Sequence, residues 1–174
     1  MKKNQNQLSL ILICLFFIPL SMQAQEYGTA LGVRAADGIG VTLQQQIAVH
    51  STVEGILSSK SKNLTLNLLY EHHKNLITSG LNFYAGAGVY KTWLNKDENL
   101  IEQPTNPYGI SPIIGIEMTI AKLNISADIK PHIRVGGTGG KGLEWNTGVS
   151  VRYVLAKRYF KNDNWKFWKK WKKK

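Results

Sequence analysis

Between Tyr27 and Leu155 apolar and polar residues alternate in segments roughly ten residues long, with turn-forming residues between them. In the first, Tyr27, Thr29, Leu31, Val33 and Ala35 share one strand face, and Gly28, Ala30, Gly32, Arg34 and Ala36 share the other. Asp37-Gly38 is a hairpin signal, after which Ile39, Val41 and Leu43 resume the apolar face. A third strand over residues 51–59 sets Val53, Gly55 and Leu57 outward and Glu54 inward, and Lys60-Ser61-Lys62-Asn63 reads as a polar loop. Leu64, Leu66, Leu68 and Tyr70 then oppose Thr65, Asn67 and Glu71.

The fifth segment, over 77–91, alternates Leu81, Phe83, Ala85, Ala87 and Val89 with Asn82, Tyr84, Gly86, Gly88 and Tyr90. A long loop over 92–107 follows. The sixth segment points Ile110, Pro112, Ile114, Ile116, Met118 and Ile120 one way, and Ser111, Gly115, Glu117 and Thr119 the other. A tight turn at Ala121-Lys122 leads to the seventh, where Leu123, Ile125, Ala127 and Ile129 oppose Asn124, Ser126, Asp128 and Lys130. In the last, Trp145, Thr147, Val149, Val151 and Tyr153 oppose Glu144, Asn146, Gly148, Ser150 and Arg152. Pro112 and Pro131 lack a ladder N–H and are expected near strand ends or bulges.

Eight such strands, an even number, predict an all-β, antiparallel, up-and-down transmembrane barrel with both ends on one side. Lipid supplies no partner for backbone N–H and C=O groups, so only helices and closed barrels span it, and the chain after its first 25 residues has no apolar run of helix-spanning length.

The first 25 residues read as a cleaved signal peptide: Lys2 and Lys3, the apolar stretch Leu8 to Leu20, then Ser21-Met22-Gln23-Ala24 before a cut near Ala24 or Gln25. Cys14, the one cysteine, falls inside that stretch, which removes disulfides, thiol catalysis and cysteine metal sites from the mature chain. Residues 26–155 form the barrel and 156–174 a basic tail. Of 22 Lys and Arg, nine lie in residues 157–174, with one acid, Asp163, among them. The barrel is therefore near neutral, and the basic pI describes a tail rather than a nucleic-acid-binding domain. No nucleic acid is expected as a partner.

The polar face decides how the barrel is filled. Arg34, Glu54, Glu71, Glu117, Asp128, Lys130, Glu144 and Arg152 are few and of mixed sign, which suits a lumen whose charges pair with one another better than a solvated exterior. Eight strands enclose just enough room for side chains, so a general diffusion pore is disfavoured. The opposite arrangement, a soluble exported barrel with its apolar face around a small ligand, is the alternative that this face argues against.

In the tail, Trp165, Trp168 and Trp171 recur every three residues with Lys166, Lys169 and Lys170 between them. A helical turn would gather indoles on one side and ammonium groups on the other, the composition of a segment that lies on an anionic membrane surface.

The chain resembles the small eight-stranded outer-membrane barrels, OmpA-like and OmpX-like, of Gram-negative bacteria. The resemblance rests on the strand pattern and, most locally, on Asn146-Thr147-Gly148-Val149-Ser150-Val151-Arg152-Tyr153. There Asn146, Gly148, Val151 and Tyr153 look like the final-strand signal that such barrels present to the outer-membrane assembly machinery, although here about twenty residues follow the aromatic residue. The resemblance implies periplasmic termini, short periplasmic turns, longer external loops, and contact with outer-membrane lipids and lipopolysaccharide. It leaves the oligomeric state open, with a monomer expected, and it does not choose among structural, adhesive and lipid-modifying roles.

A lipid-modifying enzyme would centre on His132, with Asp128 and Arg134 nearby, yet no serine stands in the His-x-Ser spacing of lipid A deacylase barrels. The reading is therefore non-enzymatic, with no catalytic residue and no cofactor. His72 and His73 point to opposite faces of their strand and His50 lies on its neighbour, so no shared metal site is expected. Gly136-Gly137-Thr138-Gly139-Gly140 does not match the phosphate-loop pattern and reads as a loop.

Overall fold

The computed structural model describes residues 27–76, 80–95, 105–138 and 142–157. The expected signal peptide, the Trp-rich tail and much of the longest loop lie outside them. Eight strands are present: β1 (Tyr27–Ala35), β2 (Ile39–Ala48), β3 (Ser51–Lys60), β4 (Asn63–Asn75), β5 (Leu81–Trp93), β6 (Tyr108–Ile120), β7 (Leu123–Gly136) and β8 (Leu143–Lys157). Each pairs antiparallel with the next, and β8 returns to β1, so the sheet closes and has no free edge. The turns after β2, β4 and β6 share one end with both termini of the barrel, the tail end. The turns after β1, β3, β5 and β7 make up the loop end.

Closure puts one face of every strand outside. Leu31, Val33, Val41, Leu43, Leu66, Leu68, Val89, Ile114, Ile116, Ile129, Val149 and Val151 are all more than a third exposed there, forming a continuous apolar belt. Trp93, Tyr108 and Trp145 edge the belt toward the loop end, and Tyr70 and Tyr153 edge it toward the tail end. Lys91 and Lys122 set their ammonium groups 5.5 Å and 5.7 Å from the Trp93 and Tyr153 rings, so each edge also carries a cation over an aromatic face.

The inward face is polar and densely filled, the reverse of a ligand-binding barrel with an apolar lumen. Apolar residues do enter it at two places: Ile56, Leu69, Tyr84 and Ile113 form one buried cluster, and Tyr27, Ala30 and Val154 form another. Gly115 makes room for Tyr84, because a Cβ at that position would stand 2.6 Å from the Tyr84 ring.

The structure departs from the sequence reading at four places. Lys60 and Asn63 pair with each other, so the polar loop is a two-residue turn at Ser61-Lys62, both with positive φ. β5 begins at Leu81, after Gly80 turns the chain at φ 100°. Irregularities between Tyr27 and Ala30 in the pairing with β8 break the alternation, and Tyr27, assigned outward by parity, is buried in the lumen. Pro112 and Pro131 lie inside β6 and β7, away from the strand ends.

Candidate functional site

The lumen is built as successive polar layers. Nearest the loop end, Arg34 on β1 meets Asp128 on β7 through two parallel bonds of 2.6 Å each, the planar fork geometry that a guanidinium and a carboxylate favour. Tyr84 donates its hydroxyl to the same carboxylate at 3.2 Å, and Arg34 also donates to Ser150 Oγ at 3.2 Å and Asn146 Oδ1 at 3.4 Å. Gly148 is required beside this pair, since a Cβ there would stand 2.4 Å from the guanidinium.

In the middle, Arg152 pairs with Glu54, which also accepts from Thr42. Arg152 further donates to Asn124 Oδ1 at 3.0 Å, Ser126 Oγ at 2.8 Å and Thr42 Oγ1 at 3.2 Å. Glu71 accepts from Gln44 Nε2 at 2.8 Å and Thr52 Oγ1 at 3.2 Å. Glu54 Oε2 and Glu71 Oε1 are each buried without a hydrogen-bond partner, and the two carboxylates are compensated differently: Glu54 has a guanidinium, whereas Glu71 has the neutral donors Gln44 and Thr52 and the His73 ring, whose Nε2 lies 3.6 Å from its Oε2.

Toward the tail end, His73 stands between Thr52 Oγ1, 2.8 Å from Nε2, and Glu117 Oε1, 3.0 Å from Nδ1. Glu117 also accepts from Asn82 at 3.1 Å, from Asn124 at 3.2 Å and from Tyr27 at 2.7 Å. His73 and Tyr27 are members of the network that the sequence reading missed. For His73 the signal was available, because it sits two residues from the inward Glu71. For Tyr27 there was none, because the irregularity that turns it inward is set by pairing with β8.

Among the eight charges assigned to the lumen, Glu144 differs. It stands at the loop-end mouth, half exposed, 3.5 Å from Lys60, whose ammonium is also 3.1 Å from Asp37. Glu144 shares the inward face of β8, but it pairs with His132 near the start of that strand, where the lumen widens and water reaches its carboxylate. Lys130 differs in another way: it is buried, with no hydrogen bond or ion pair to any described residue. In the final strand Asn146 and Gly148 face the lumen, whereas Val151 and Tyr153 belong to the outer belt. Trp165, Lys166, Trp168, Lys169, Lys170 and Trp171 lie outside the described residues.

His132 faces inward. Its Nε2–H donates to Asn67 Oδ1 at 2.9 Å and its ring stacks on Tyr90 at 4.3 Å, so no serine or threonine hydroxyl engages it among the described residues. No group of three or more His, Cys, Asp or Glu suited to a metal ion occurs among them either.

A closed eight-stranded barrel with an apolar exterior, aromatic edges and an ion-paired interior is the architecture of small outer-membrane barrels. No family model matches the chain, and no curated protein matches it. Among solved structures it is similar to the N-terminal β-barrel domain of OprF from Pseudomonas aeruginosa, with a TM-score of 0.51 and 14% identity over 72% of this chain and 93% of that one. It is also similar to Neisserial surface protein A, with a TM-score of 0.50 and 10% identity over 73% and 93% of the two chains. At these identities the likeness shows the fold.

Proposed function

We propose that the protein is a non-enzymatic barrel of the bacterial outer membrane, acting as a structural or surface-interaction element whose polar lumen is plugged. The observation that carries this reading is the exposed apolar belt edged by aromatic residues around a sheet with no free edge, an exterior suited to lipid and costly in water. Both termini are assigned to the periplasm and the longer loops to the outside. The final strand addresses the assembly machinery, and the Trp- and Lys-rich tail contacts a membrane surface or lipopolysaccharide phosphates.

The inward placement of His132, held by Asn67 and Tyr90, argues against it as a base acting on lipid, since lipid meets the outer face. The test is electrophoresis of isolated outer membranes in detergent with and without boiling. A band in that fraction whose migration shifts on heating is expected. Recovery in the soluble periplasm with no heat-dependent shift would overturn the reading.

A further inference from the structure

A cavity of about 360 Å3 opens at the loop end, and Lys130, Arg34, His132, Asn67, Thr65 and Asn146 are among the residues that line it. None of its lining residues lines the small tail-end pocket around Gln46 and His50, and the buried Arg152, Glu54, Leu69 and Tyr84 fill the lumen between. The cavity is blind-ended, so its geometry favours holding a solute over passing one.

The charges are unbalanced along its depth. At the mouth, Asp37 and Glu144 share Lys60, all three substantially exposed and therefore well screened. Deeper in, Arg34 and Asp128 satisfy each other. Lys130 remains: it is 1% exposed, has Arg34 and Asp128 as charged neighbours, and makes no hydrogen bond or ion pair with any described residue. A buried ammonium loses several kcal/mol of hydration, and Asp128, Glu54 and Glu71 attract Lys130 only from beyond ion-pair distance. An anion in the cavity would supply the missing partner. The neighbouring amide is also available, because Asn67 spends its carbonyl oxygen on His132 while its NH2 donates to no described residue. The stacking of His132 on Tyr90 holds that arrangement in place.

We propose that this vestibule binds a small solute through a phosphate or carboxylate group, with the Lys130 ammonium as its anchor and Asn67 as a second donor. The volume is within the range of small-molecule pockets and exceeds that of an inorganic ion, so the anionic group belongs to a larger polar solute such as a phosphomonoester or a sugar acid.

The test uses the full mature chain folded in detergent micelles and follows the His132 imidazole resonance by NMR, assigned with a His132→Asn variant. Inorganic phosphate and acetate are titrated separately against sodium chloride at equal ionic strength. The basic tail also attracts anions, and the Lys130→Met variant, which keeps the tail unchanged, separates that binding from binding at the vestibule. A saturable shift with either anion, weakened more than tenfold in Lys130→Met and kept within a few-fold in Lys130→Arg, is expected. A response to phosphate alone or to acetate alone supports the site and identifies its preferred group. Heat-dependent gel migration confirms that each variant is folded. The proposal is overturned if the wild-type resonance does not respond beyond chloride, or if a folded Lys130→Met protein responds with unchanged affinity.

Discussion

Pro112 on β6 stands directly opposite Pro131 on β7. The register fixes this, because Ile110 pairs with Ile133 and Ile114 with Ile129 on either side of them, while no ladder pair joins 111–113 to 130–132. Neither proline has an N–H to donate, and Ser111 Oγ partly bridges the gap by donating to the Pro131 carbonyl at 3.4 Å. Two prolines sharing one interruption leave a weak place in the middle of the β6–β7 ladder.

Replacing both prolines by alanine restores two donors. Each new bond contributes about 1 kcal/mol, but losing each proline returns roughly 0.4–1 kcal/mol of entropy to the unfolded chain. Global stability is therefore expected to change little. Local opening is expected to fall, seen as slower amide exchange at Ile113 and His132; faster exchange would show that the seam is closed by something other than ladder bonds.

The Arg152–Glu54 pair and Glu71 respond differently to loss of charge. Arg152→Met leaves Glu54 buried without its cation and is expected to cost about 3–5 kcal/mol in urea unfolding of the micelle-bound barrel. Glu71→Gln removes a carboxylate that has no guanidinium, accepts from Gln44 and Thr52 and stands 3.6 Å from His73 Nε2, and its effect is expected to be clearly smaller than that of Arg152→Met. Equal destabilisation by both changes would mean that Glu71 is as well compensated as Glu54.

Gly148 and Arg34 compete for the same space. Gly148→Val is expected to push Arg34 off Asp128 and destabilise by about 3 kcal/mol or more, as for a broken buried pair. In an Asp128→Asn background, where Arg34 is no longer held, the same change is expected to cost clearly less. Additive costs in that double-mutant cycle would separate Gly148 from the pair.

Tyr27 ties β1 to Glu117 on β6, across the lumen. Tyr27→Phe removes a donor to a buried carboxylate and is expected to cost about 1–3 kcal/mol, whereas Thr29→Val, on the part-buried Gln45 contact, is expected to cost less. A silent Tyr27→Phe would place that ring outside the lumen, as simple alternation has it.

The outer belt is tested by charge. Ile116→Arg, on an outward position of β6, is expected to destabilise the bilayer-inserted barrel by about 2–4 kcal/mol near the midplane, while Ile120→Arg, at the strand end, is expected to cost less. Equal tolerance of both would argue against lipid on this face.

What the sequence determined by itself was what parity controls. A strand turns its side chains with a period of two, so local alternation alone assigns Val33, Ile116 and Val151 to one face and Arg34, Glu54 and Arg152 to the other, and counting such segments leads to eight strands. Parity also places His73 on the face of Glu71. What only the tertiary structure decided depends on register and closure, which arise between strands and not within them. Arg34 finds Asp128 from 94 positions away; the pairing of β1 with β8 turns Tyr27 inward; β6 and β7 bring Pro112 and Pro131 face to face. Lys130 shows the distinction most plainly: alternation puts it in the lumen among opposite charges, but only the closed barrel sets it on the wall of the loop-end cavity, 1% exposed and without a hydrogen bond or ion pair to any described residue.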